Sequence, residues 1–102
     1  MNGARLAAAS IAVVSTLTGS AYAAGPADAP PGALSCSGCH PAARFVDTTV
    51  TRLNGKDAAG IVSAMQAFRS GQLPSTVMDR IAKGLSDDEV KAIAAWYAAQ
   101  KD

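Results

Sequence analysis

The chain contains only two cysteines and one histidine, and all three lie within five consecutive residues. Cys36 and Cys39 are three positions apart, so both thiols fit on about one helical turn, and His40 follows directly. This spacing is typical of covalent haem attachment, in which the thiols bond to the porphyrin edge and the histidine binds the iron. The pattern therefore predicts a chain that folds around a large cofactor.

Three other roles for the cysteines fit the sequence less well. A redox dithiol of the thioredoxin type needs a β-α-β setting, which the sequence does not indicate. A structural zinc site needs four ligands, whereas Cys36, Cys39 and His40 supply three. A disulfide between the cysteines would close a tiny loop, add little stability and leave the histidine unexplained. We therefore predict one covalent haem c, held by Cys36, Cys39 and His40.

The first 23 residues have the features of an export signal. Arg5 precedes an apolar run over residues 6–17, and Ala21 and Ala23 form a small-x-small cleavage site. The run falls short of the ~20 residues that span hydrocarbon, so no membrane span is expected in the mature chain. We expect cleavage after about Ala23 and a periplasmic location; retention of the signal as an anchor is the alternative.

The rest of the chain is long enough for one domain. Residues 24–32 include three prolines and are predicted to form an extended lead-in to a folded domain over residues 33–102. A domain this short is marginal without a metal, disulfide or cofactor. Nine Lys and Arg nearly balance eight Asp and Glu, and no basic stripe is present, so no nucleic-acid partner is expected.

Beyond Cys39 the apolar residues recur with a helical period, which predicts an all-α fold. A middle helix is predicted from the N-cap Asp57 to Ser70, with Gly71 as its stop. The last helix is predicted to begin at a capping box formed by Ser86 and Glu89.

The segment between these helices holds the candidate for the second axial ligand of the iron. Pro74 prevents a continuous helix, and a short helical turn is expected over about residues 75–83. The soft ligands available are Met65, whose simpler role is packing in the middle helix, and Met78 in the irregular segment. Met78 is favoured, because a His/Met iron suits electron transfer. An open iron site is the alternative.

Two stretches of sequence resemble a known family. Residues 65–71 read MQAFRSG and residues 76–86 read TVMDRIAKGLS. Residues 33–102 resemble a class I cytochrome c, and the two stretches resemble in particular the small cytochrome subunit of flavocytochrome c sulfide dehydrogenase. The resemblance implies that Met78 is the distal haem ligand and that the first and last helices cross near the haem edge.

The same resemblance implies a function and partners. Sulfide would be oxidised by a flavoprotein partner, while this chain would transfer single electrons to an acceptor such as another cytochrome and would have no catalysis of its own. A free monohaem carrier between a reductase and an oxidase is one alternative. A haem enzyme or sensor with an open distal site is another.

The chain departs from the family pattern at two positions. Pro41 follows the motif where glycine is usual, and Thr51 stands where a proline carbonyl often accepts the Nδ1 proton of the proximal histidine. We expect the carbonyl of Thr51 to take that role. Arg80, two residues after Met78, is expected to pair with a haem propionate.

Overall fold

The computed structural model describes residues 28–101, and no strand occurs among them. The helices are α1 (Ala33–Cys36), α2 (Ala58–Ser70), α3 (Met78–Lys83) and α4 (Asp87–Ala99). The predicted all-α fold is confirmed. The predicted signal peptide, residues 1–23, lies outside the described residues. None of the helices over residues 28–101 is long and apolar enough to cross a membrane.

Helix α2 begins and ends where the sequence predicts. The carboxylate of Asp57 accepts a hydrogen bond from the Gly60 N–H at 2.8 Å, which satisfies a donor that the helix start leaves free. Gly71 adopts the left-handed conformation with φ 79°, which ends the helix at little steric cost because glycine lacks a Cβ.

Helix α4 begins at the predicted capping box. The Ser86 hydroxyl accepts from the Glu89 N–H at 3.1 Å, and the Glu89 carboxylate accepts from the Ser86 N–H at 3.0 Å. These two hydrogen bonds fix the start of the helix and thereby its rotation. The residues that α4 buries are Val90, Ile93, Ala94 and Tyr97.

The substitution Ser86→Ala is expected to lower the free energy of unfolding by about 1 kcal/mol, because it leaves the Glu89 N–H without its acceptor. Guanidinium unfolding followed by circular dichroism measures this loss. Glu89→Gln is the matched control and should cost less, since glutamine can also complete a capping box. Equal stability of Ser86→Ala and the unsubstituted protein would contradict a stabilising role for the box.

Helix α3 is shorter than expected, because it begins at Met78 rather than near Ser75. Ser75 acts instead as a cap: its hydroxyl accepts from the Asp79 N–H at 3.0 Å. The helix ends at Gly84, as predicted. With six residues α3 is too short to be stable alone, and it packs against α2.

The core lies where α1 meets α4. Ala33, Ile93 and Tyr97 form a buried cluster, and Trp96 packs against it. The Tyr97 hydroxyl donates to the Ala33 carbonyl at 2.5 Å, which joins the two helices directly. The predicted contact between the first and last helices is therefore present.

Two further residues define the limits of this packing. Val90 is buried and lies at the wall of a cavity. Ala29 packs against the core cluster, so the packed structure begins within the predicted lead-in rather than at Ala33.

Candidate cofactor site

The Cys-x-x-Cys-His motif continues α1 as a tight turn. The N–H groups of both Cys39 and His40 donate to the Cys36 carbonyl, at 3.2 and 2.8 Å. A Cβ on Gly38 would lie only 3.3 Å from the Ser35 carbonyl oxygen, so glycine suits this close approach. Cys36 and Cys39 are free thiols in this turn, and Cys36 is half-buried whereas Cys39 is exposed.

The Cys36 thiol does not have the character of a redox dithiol. Burial raises its pKa above the ordinary value, although hydrogen bonding acts in the opposite direction. Reactive dithiols instead depend on a lowered thiol pKa. Among residues 28–101, no three His, Cys, Asp or Glu side chains converge on a possible metal position, whereas a structural zinc site has four ligands.

The imidazole of His40 is oriented by the loop that follows the motif. Its Nδ1 lies 2.5 Å from the Thr51 carbonyl oxygen. Because a carbonyl can only accept, Nδ1 must carry the proton, which leaves Nε2 of the neutral ring with a free lone pair. The structure thus has the contact expected of Thr51, and the ring is in the tautomer that binds a metal through Nε2.

A large cavity opens beside this ring. Its volume is about 1150 Å³, above the usual range of ligand pockets, and its lining is mainly apolar. It lies between the motif, the loop around Thr51 and helices α2, α3 and α4. The lining side chains include Cys36, Cys39, His40, Val50, Leu53, Ile61, Met65, Phe68, Leu73, Val77, Met78, Ile81, Val90 and Ile93.

The cavity brings together all four predicted site residues: Cys36, Cys39, His40 and Met78. Met65 also lines it, from α2, whereas Met78 lines it from the first position of α3. Two thioethers and one imidazole therefore reach a common apolar space. This donor set and this volume fit a haem, whose iron takes nitrogen and sulfur ligands and whose ring is apolar.

Arg80 is exposed on α3 and is not among the residues that line the cavity, and its pairing with a haem propionate stays a prediction. The arginine that the structure joins to α3 is Arg69, which donates to the Ala82 carbonyl from α2. No sequence signal indicated this contact: a basic residue in the last turn of a helix is a known partner for the last carbonyls of its own helix, whereas Arg69 bonds to a carbonyl of α3.

Tyr97, which lies in the core cluster, also hydrogen-bonds to the motif. The Ser37 hydroxyl lies 2.8 Å from the Tyr97 oxygen, and Tyr97 donates its own proton to Ala33. Ser37 is therefore the donor to Tyr97. Burial raises the pKa of the Tyr97 phenol, which keeps that proton in place. The sequence gives only a weak signal for the hydrogen bond between Ser37 and Tyr97, because the two residues lie 60 positions apart in the chain.

The chain is similar to three known cytochromes or electron acceptors, although no protein-family model matches it. It is 36% identical to the cytochrome subunit of sulfide dehydrogenase of Chlorobaculum tepidum, over 63% of this chain and 58% of that protein. It is 37% identical to the thiosulfate dehydrogenase electron acceptor of Stutzerimonas stutzeri, over 62% of this chain and 31% of that protein. It is 36% identical to cytochrome c-554(548) of Halomonas halodenitrificans, over 48% of this chain and 63% of that protein.

Fold, site and relatives agree on one class of protein. A small all-α domain with Cys-x-x-Cys-His at the wall of an apolar cavity has the fold of a class I cytochrome c, and the comparisons confirm that resemblance. Within this class, the relatives include a cytochrome subunit of one dehydrogenase and the electron acceptor of another. The chain spans less than two thirds of the length of each relative.

Proposed function

We propose that this chain is a c-type cytochrome that binds one covalent haem c and transfers single electrons. The observation that carries the proposal is the cavity wall shared by two thiols, an oriented imidazole and the Met78 thioether. The relatives, which are named as cytochromes or as an electron acceptor, support it.

The cysteines supply the covalent attachment in this proposal. The thiols of Cys36 and Cys39 would each add sulfur and hydrogen across one vinyl double bond, so no oxidant or reductant is consumed. Both cysteines line the cavity from one tight turn, from which they would bond to the same porphyrin. Covalent attachment would also enlarge the small core of this short domain.

His40 and Met78 would hold the iron. The Thr51 carbonyl holds the imidazole in one orientation and strengthens the Nε2 lone pair as a metal ligand. The mainly apolar lining, which includes Ile61 and Ile93, would limit the contact of a bound haem with water. When bound, haem iron supplies a one-electron ferric/ferrous couple whose potential depends on these ligands and on burial.

As its partner we propose a flavoprotein sulfide dehydrogenase. The name of the Chlorobaculum relative and the resemblance of residues 65–71 and 76–86 support this choice. Oxidation of sulfide would occur in the flavoprotein, and this chain would transfer the electrons to an acceptor such as another cytochrome. We propose a periplasmic location after removal of residues 1–23.

Covalent attachment is tested by producing the full-length protein together with a haem maturation system. A haem stain that survives denaturing electrophoresis is expected for the unsubstituted protein, together with a sharp reduced spectrum. The double variant Cys36→Ala/Cys39→Ala should lose the stain, because no thiol is left to form a thioether. An equally strong stain in the double variant would overturn the proposed attachment.

Purification of the chain from its native host distinguishes the two electron-transfer functions. A flavin-containing protein that co-elutes in gel filtration, and whose flavin is reduced by sulfide, supports the flavocytochrome subunit. A small peak without flavin supports a free carrier, which the resemblance to cytochrome c-554(548) favours as the second candidate.

A further inference from the structure

Arg69, at the end of α2, makes three contacts through one guanidinium group. Its Nε donates to the Ala82 carbonyl at 3.3 Å, and its Nη2 donates to the Leu85 carbonyl at 2.9 Å. Its Nη1 donates to the carboxylate of Asp87 at 2.5 Å. One side chain therefore joins the end of α3, the turn that follows it and the first turn of α4 to α2.

The charges and burial of these groups favour the contacts. Ala82 and Leu85 lie at and just beyond the C-terminal turn of α3, where carbonyls carry partial negative charge. The Ala82 carbonyl also accepts from the Leu85 N–H at 3.4 Å, and its second lone pair is available to the Arg69 guanidinium. The two hydrogen bonds from Arg69 to the carbonyls of Ala82 and Leu85 are partly buried, whereas the contact between Arg69 and Asp87 is exposed. The guanidinium beside Asp87 holds the pKa of that carboxyl below its usual range, which indicates a favourable contact.

Helix α3 depends on such external contacts for its position. It has six residues, its N-cap residue Val77 offers no side-chain hydrogen bond, and the cap at its start is the hydroxyl of Ser75, which lies outside the helix. A helix this short does not hold its place by internal hydrogen bonds alone. Met78 and Ala82 are four positions apart on one face of α3, about 6 Å along the axis. A contact that fixes the Ala82 carbonyl therefore limits the movement of Met78.

We propose that Arg69 is a positioning residue for the axial thioether: by joining the end of α3 to α2, it holds Met78 at the cavity. This inference rests on the proposed function, because it takes Met78 as the iron ligand. Arg69 does not line the cavity, so its effect would pass through α3 rather than through contact with the cofactor.

The test is competition between Met78 and added imidazole for the ferric iron. In Arg69→Ala, imidazole should bind about tenfold more tightly, since losing charge-assisted hydrogen bonds changes an equilibrium by roughly this factor. On heating, the weak far-red absorption band that arises from the sulfur–iron bond should also disappear at a lower temperature in Arg69→Ala than in the unsubstituted protein. Hydrogen exchange of the amides of residues 78–84 should accelerate in the same variant.

Three variants separate positioning from general stability. Asp87→Asn keeps both carbonyl contacts and should change imidazole affinity less than Arg69→Ala. Lys83→Ala removes one exposed positive charge from α3 and should leave that affinity unchanged. Ala94→Gly removes a fully buried methyl group from α4 at a residue that does not line the cavity, and it should lower global stability without changing imidazole affinity.

Unchanged imidazole affinity in Arg69→Ala, together with lower global stability, would show that Arg69 only stabilises the fold. If Arg69→Ala does not mature, Arg69→Lys is the variant to measure. Lysine keeps the positive charge but not the forked geometry of the guanidinium. An imidazole affinity equal to that of the unsubstituted protein would then overturn the proposal. The proposal that Met78 is the iron ligand has a separate test. It would be wrong if Met78→Ala retained the far-red band and the imidazole affinity of the unsubstituted protein.

Discussion

Met78→Ala is expected to abolish the far-red band of the ferric protein and to open the reduced iron to carbon monoxide at neutral pH. The physical reason is the loss of a thioether from the cavity wall, which alanine is too short and too inert to replace. The reduction potential should fall by on the order of 0.1 V, because axial ligands move haem potentials over about 0.8 V. Visible spectra and a redox titration measure both effects.

Met65→Ala is the matched control, since Met65 lines the same cavity from α2. Met65→Ala removes a thioether of equal size and should keep the far-red band, although it also removes some packing contacts. Loss of the band in Met65→Ala but not in Met78→Ala would make Met65 the ligand. Carbon monoxide binding to the unsubstituted reduced protein would instead favour an open iron site and ligand chemistry.

Tyr97→Ala is expected to lower the free energy of unfolding of the haem-loaded protein by roughly 3–5 kcal/mol, as for other large buried aromatic residues. Tyr97 is only 1% exposed and lies in the core cluster between α1 and α4. Such a loss is a large part of the 5–15 kcal/mol that stabilises typical domains. Guanidinium unfolding followed by far-ultraviolet circular dichroism measures it, and a lower yield of mature protein should accompany it.

Tyr97→Phe separates the hydroxyl from the ring. It keeps the packing but removes the donor to the Ala33 carbonyl and the acceptor for Ser37, so a loss of about 1–2 kcal/mol is expected. If Tyr97→Phe were as destabilising as Tyr97→Ala, the hydrogen bonds rather than the ring would hold α1 to α4.

The sequence predicted the features that depend on neighbouring residues. The caps at Asp57, Gly71 and Ser86 lie within a few positions of the groups they satisfy, so residue type and spacing are sufficient to locate them. The same holds for the motif, since Cys36 and His40 belong to one turn of chain. The start of α3 was placed too early because Ser75 suits a cap as well as a helix.

The contacts that the sequence did not predict join residues far apart in the chain. Arg69 meets Asp87 across 18 positions, and Tyr97 meets Ser37 across 60. A helical period shows which face of a helix is buried but not which residue of another helix lies opposite. The same limit applies to Met65 and Met78, because both lie on apolar faces and the sequence alone does not give the shape of the cavity between them.

The hydrogen bond from Tyr97 to Ala33 also has a consequence for the order in which the protein matures. It spans 64 positions, whereas the turn that presents the two thiols needs no residue beyond His40. Bringing distant parts of a chain together costs more entropy than forming a local turn. The turn that carries the two thiols can therefore form while the chain is still largely open, whereas the contact between α1 and α4 forms only when the residues up to Tyr97 are in place.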